Sequence, residues 1–177
     1  MSDSRKSKLE MLLKQNKIKQ AKKQLVDDLL KYHAIDISDK VFVDFEVSED
    51  VHKKVYKLIK TDKIDVFKIP YDEETLKLKI DFLFDYFKIY ENENILFYPS
   101  TFGFYYRSSN QLYLDFPLAI TLPLIECKRF VQKLMLEMHD DLVIVSVNFN
   151  FGFILSEDEY SDVTIEYWGP DLHNKDA

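Results

Sequence analysis

Residues 142–168, LVIVSVNFNFGFILSEDEYSDVTIEYW, decide the fold of this chain. Three runs within it, Leu142–Phe149, Phe151–Leu155 and Val163–Trp168, are dense in β-branched and aromatic residues and read as strands. The polar stretch Ser156–Asp162 makes the turn between the last two. Connections this short place the three strands beside one another in one antiparallel sheet, with the preceding helix, about Pro123 to Met138, packed against it.

The rest of the chain supplies helices and further short strands. From about Ser7 to His33 there is no Gly or Pro, and Leu9, Leu12, Leu13, Ala21, Leu25, Leu29 and Tyr32 recur at helical spacing, which predicts one long helix or two with a break near Asn16. Val41–Val47 alternates and is β-rich, so it reads as a strand, with Ser48 capping a second helix that ends near Thr61. Asp72 after Pro70 is a helix-start signal, and Leu76, Ile80, Leu83, Phe84 and Phe87 form the core stripe that follows it. Between Asn94 and Phe116 the runs 95–98, 102–106 and 112–114 read as short antiparallel strands joined by tight turns. The expectation is an α+β domain over residues 1–177, a mostly antiparallel sheet flanked by helices: a helical segment at 1–33, then the α+β body at 40–170.

Composition narrows the classes of function. A chain of 177 residues with 46% hydrophobic and 15% aromatic residues has ample material for one core. No apolar run of about 18 residues could span a bilayer, and the charged first residues are unlike a secretory leader, so no membrane partner is expected. The single cysteine, Cys127, cannot form an internal disulfide, which fits a reducing, cytoplasmic setting. The net charge of −7 is unevenly spread: residues 1–31 hold nine bases and four acids, whereas Leu134 to Asn174 contains nine acids and no Lys or Arg. That acidic segment repels nucleic-acid phosphates and attracts basic partners. The N-terminal lysines lack interleaved aromatics, so they read as a solvated face covering the core or pairing with the acidic body.

Residues able to do chemistry are few. Cys127 has Lys128 and Arg129 beside it, but its apolar neighbours predict a buried structural thiol. His139, Asp140 and Asp141 diverge at a helix end and lack the spacing of a metal motif; His33 takes a similar helix-end position, and His52 and His173 look exposed. Asp115 followed by Glu126-Cys-Lys128 is similar to the metal-dependent restriction-type nuclease pattern, in which carboxylates hold the metal and the lysine assists the attacking water. The Glu-x-Lys should lie on a strand there, whereas Pro123 places it in the first turn of a helix. With three glycines the chain has no phosphate-cradling loop, and neither a catalytic residue, a metal nor a cofactor is assigned.

Residues 149–169, FNFGFILSEDEYSDVTIEYWG, resemble the strand-turn-strand endings of small acidic immunity proteins from bacterial polymorphic and contact-dependent toxin systems. The resemblance implies a non-enzymatic inhibitor that binds a cognate toxin domain, usually a nuclease, and blocks its active site or substrate surface. A nuclease must be basic, so its inhibitor gains association rate from acids and affinity from buried aromatics. The expected partner-binding residues are Glu157, Asp158, Glu159, Tyr160, Asp162, Glu166, Tyr167 and Trp168. A protein-binding adaptor of unrelated purpose is the alternative.

Overall fold

The computed structural model describes residues 2–99, 111–138, 141–157 and 162–169. Among these, helix α1 (Ser2–His33) is followed by β1 (Val41–Phe42), α2 (Phe45–Leu58), β2 (Asp65–Pro70), α3 (Glu73–Tyr86) and β3 (Asn94–Pro99). After 3-10 turns at Lys88–Tyr90 and Leu112–Asp115 come β4 (Ile120–Pro123), α4 (Leu124–Met138), β5 (Leu142–Ser146), β6 (Gly152–Glu157) and β7 (Asp162–Trp168). The strands form one antiparallel sheet in the order β1-β4-β3-β5-β6-β7-β2. The protein is α+β, with the long N-terminal helix expected from its sequence and β5, β6 and β7 adjacent.

Because side chains alternate along a strand, the sheet has two apolar faces with different covers. On one, Phe97, Ile144, Phe153, Leu155, Ile165 and Tyr167 pack with α1, α3 and α4 in the larger core. On the other, Leu96, Tyr98, Val143, Val145, Ile154 and Trp168 pack with Val55, Val51 and Tyr56 of α2. Strand β5 is buried at all five positions, the pattern of a central strand with both faces covered.

Local chemistry explains where elements depart from the sequence reading. The strand expected over 41–47 stops at Phe42, because the Asp44 carboxylate accepts from the amides of Glu46 (2.9 Å) and Val47 (3.4 Å) and starts α2 there. Ser48 is therefore not a cap but a buried residue inside α2; its hydroxyl donates to the Pro117 carbonyl, and its own carbonyl accepts from the Tyr98 hydroxyl at 2.8 Å. Asp72 caps α3 as expected, accepting from the Thr75 amide at 2.7 Å.

Leu112–Leu114 is not a strand but part of a 3-10 turn held by α1: the Leu112 amide donates to Gln24 at 2.8 Å and the Tyr113 hydroxyl to Asp28 at 2.9 Å. The run 102–106 lies outside the described residues. Strands β2 and β4 have no counterpart in the sequence reading, and the Leu142–Phe149 run leaves the sheet after Ser146, where Phe149 turns with φ 62°. His52 is half-buried against the rings of Tyr56 and Tyr98, not exposed, and burial holds its imidazole below the usual range. His173 lies outside the described residues.

Gly152 of β6 stands opposite Trp168 of β7. A Cβ there would meet the indole Cζ2 at 2.5 Å and the Ile144 carbonyl oxygen at 2.7 Å. The backbone oxygen cannot swing away as a flexible side-chain end can. Gly152→Ala is expected to destabilise the fold by about 1–3 kcal/mol, read as a lower denaturant midpoint with an unchanged slope. An unchanged midpoint would show that this contact relaxes freely.

Candidate functional site

The candidate nucleophile and the nuclease-like residues are held by ordinary structural contacts. Cys127 is fully buried near the start of α4, and burial pushes its thiol well above the usual range, away from thiolate chemistry. Its neighbours on α4 are drawn to different elements: Glu126 accepts from Lys40 at 3.0 Å, whereas Lys128 pairs with Asp81 of α3 at 2.8 Å. Asp115 closes the 3-10 turn that docks on α1. Among the described residues no three His, Cys, Asp or Glu side chains are grouped as metal ligands; His139 and Asp140 lie outside them.

The acidic end of the chain is organised by β7. Its alternation sends Val163, Ile165 and Tyr167 to the larger core and leaves Asp162, Thr164, Glu166 and Trp168 on the opposite face. Tyr167 packs against Phe67 and Tyr86, with ring centroids 5.1 and 5.4 Å away, and burial raises its hydroxyl pKa, with smaller pushes from Asp65 and Tyr86. Trp168 is buried against Gly152 and Phe149, and its indole nitrogen has no acceptor among the described residues. Both aromatics are thus corrected from surface anchors to core residues. They point to opposite faces and are only 9% and 8% exposed, so neither offers a partner much area. Asp158, Glu159 and Tyr160 lie outside the described residues.

What remains at the surface is a panel on the α2 side of the sheet, toward the β2 edge. In register, Glu166 stands between Ile154 of β6 and Val66 of β2, and Thr164 between Ser156 and Lys68. Val66 is 55% exposed. The two β7 acids on this face differ: Asp162 bridges to Lys68 at 3.3 Å, whereas Glu166 makes no ion pair among the described residues. Partial burial raises the Glu166 pKa, and the charge of Asp141, just before β5, raises it further. Glu157, at the end of β6, is half-buried but lies in register with Val163, on the larger-core face opposite this panel. Sequence reasoning missed Asp141 and Val66 as members of this surface. The alternation Asp65-Val-Phe-Lys-Ile-Pro70 was the available signal for Val66.

No family model, curated protein or solved structure matches this chain.

A carboxylate with a raised folded-state pKa costs stability when it ionises. The cost is complete above that folded value and disappears as pH falls through the unfolded value, about 4.3 for glutamate. Glu166→Gln should therefore raise the melting temperature at pH 7, and the gain should shrink to nothing as pH is lowered below about 4. A loss of stability at pH 7 would mean that the carboxylate is held by a cation after all.

Proposed function

We propose that this protein is a non-enzymatic immunity protein that binds and neutralises a basic toxin domain through the acidic panel around Glu166 and the β6–β7 turn. The observation that carries the reading is the placement of Glu166. It is a half-buried carboxylate on an open sheet face, close to a second acid and without an ion pair among the described residues. An arginine or lysine from a partner would supply the missing charge, and the adjacent exposed Val66 would supply apolar contact. Binding surfaces commonly hold groups that lower the stability of the free protein and are satisfied only in the complex. The resemblance of residues 149–169 to the endings of immunity proteins supports the same reading, as does the absence of any Lys or Arg from Leu134 to Asn174.

The test is affinity capture from the native cell, followed by kinetics on the basic protein recovered. Rim charges act mainly on encounter, so reversing Asp158, Glu159 and Asp162 to lysine should slow association several-fold at low salt, with the difference fading as ionic strength rises. Glu166 is more buried, and Glu166→Ala should instead speed dissociation. Tyr160→Ala should cost about 2 kcal/mol of affinity if that side chain is the aromatic anchor in place of Tyr167 and Trp168. Recovery of nucleic acid alone, or of a partner indifferent to both salt and these substitutions, would refute the proposal.

A further inference from the structure

The two halves of α1 do different things. From Ala21 onward the helix buries Ala21, Leu25 and Leu29 against the body. From Arg5 to Lys17 every residue is exposed, including three leucines: Leu9 at 58%, Leu12 at 45% and Leu13 at 52%. Their i, i+3, i+4 spacing gathers them on one side of the helix, and at about 100° per residue that side faces away from the line of Ala21, Leu25 and Leu29. The leucines therefore form a patch directed away from their own protein.

The charge around this patch is predominantly positive. Residues 5–23 contain eight bases and a single acid, Glu10. None of the eight forms a salt bridge among the described residues. Lys14 and Lys22 are engaged instead over the rings of Phe45 and Phe42, at 5.0 and 5.3 Å. By the same helical spacing, Lys8 and Lys19 border the leucine patch on one side and Lys6 and Lys17 on the other. Of the two roles expected for these lysines, covering the body is seen at Lys14 and Lys22, and no pairing with its acids is seen among the described residues.

We propose that the first half of α1 lies on an anionic lipid surface, with Leu9, Leu12 and Leu13 immersed and Lys6, Lys8, Lys17 and Lys19 at the phosphates. Lysines on both borders of an apolar patch can run their stems along it while their ammonium groups reach the headgroups. An in-plane helix needs this arrangement, whereas a nucleic acid would take the charge and leave the leucines in water. The bases also extend along the helix past both ends of the patch, which suits a plane of charge better than a groove of limited length. No helix among the described residues is long and apolar enough to cross a membrane, and the proposed contact lies in the plane of the headgroups. Three leucines anchor weakly, and attachment is reversible and dominated by charge.

Flotation of the intact protein with vesicles of equal phosphatidylglycerol and phosphatidylcholine, compared with phosphatidylcholine alone, tests this directly. Binding to the anionic vesicles at low salt should exceed that to neutral ones by about tenfold or more and fall steeply with added salt. The triple substitution Leu9→Ser, Leu12→Ser, Leu13→Ser should reduce it by about tenfold, as should Lys6→Gln with Lys8→Gln, Lys17→Gln and Lys19→Gln. Should either set melt early, the single substitution Leu9→Trp provides an independent readout: its fluorescence should shift to the blue on anionic vesicles and not on neutral ones. Absence of binding at low salt, equal binding to neutral vesicles, or no blue shift would overturn the proposal. So would binding that ignores the leucines and is displaced by duplex RNA, which would mark a general polyanion contact.

Discussion

Trp168 resting on Gly152 is the contact on which the acidic end of the molecule depends. The indole occupies the space a side chain at position 152 would need, so β6 and β7 pair in one register and β7 is fixed in its facing. A slip of one residue would turn Tyr167 out of the larger core and bring Glu166 into it. Phe149, in a left-handed turn conformation, packs beside the same indole, and at the end of β5 the Ser146 hydroxyl accepts from the Phe151 amide at 3.2 Å. Position and orientation of the acidic panel are therefore consequences of core packing.

The two sheet faces carry unequal loads. Among the described residues, α1, α3 and α4 cover one face and α2 covers the other, packing on residues of β3, β5, β6 and β7. Toward β2 that second face grades into solvent, and there the apolar alternation gives way to Thr164, Glu166, Val66 and Lys68. Lys68 is bridged to Asp162, and partial burial followed by the charge of Asp141 raises the pKa of Glu166. A cation brought close to Glu166 would offset both contributions. The fold thus supplies a rigid acidic surface at one end and, through α1, a basic arm at the other.

Much of this architecture was legible in the sequence because it rests on local signals. Continuous β-branched and aromatic runs marked β3, β5, β6 and β7, and the Asp72 cap with its apolar stripe marked α3. The misreadings occur where a contact distant in sequence overrides a local preference. Leu112–Leu114 has strand-like residues, yet Gln24 and Asp28 of α1 hold it in a 3-10 turn. Val41–Val47 alternates like a strand, but the Asp44 carboxylate takes the first α2 amides. The acidity of the C-terminal segment could be read from composition; its facing could not. Tyr167 and Trp168 sit among acids in sequence, and only the pairing of β7 with β2 on one side and β6 on the other shows both to be interior.

The state of Glu166 is the physical point from which the functional reading starts, and carboxyl NMR titration of the free protein measures it directly. The Glu166 side-chain resonance should titrate above the ordinary glutamate range and move back toward it when Asp141→Asn removes the neighbouring charge. Titration at or below the ordinary range, with no response to Asp141→Asn, would contradict the proposal that this face binds a basic partner.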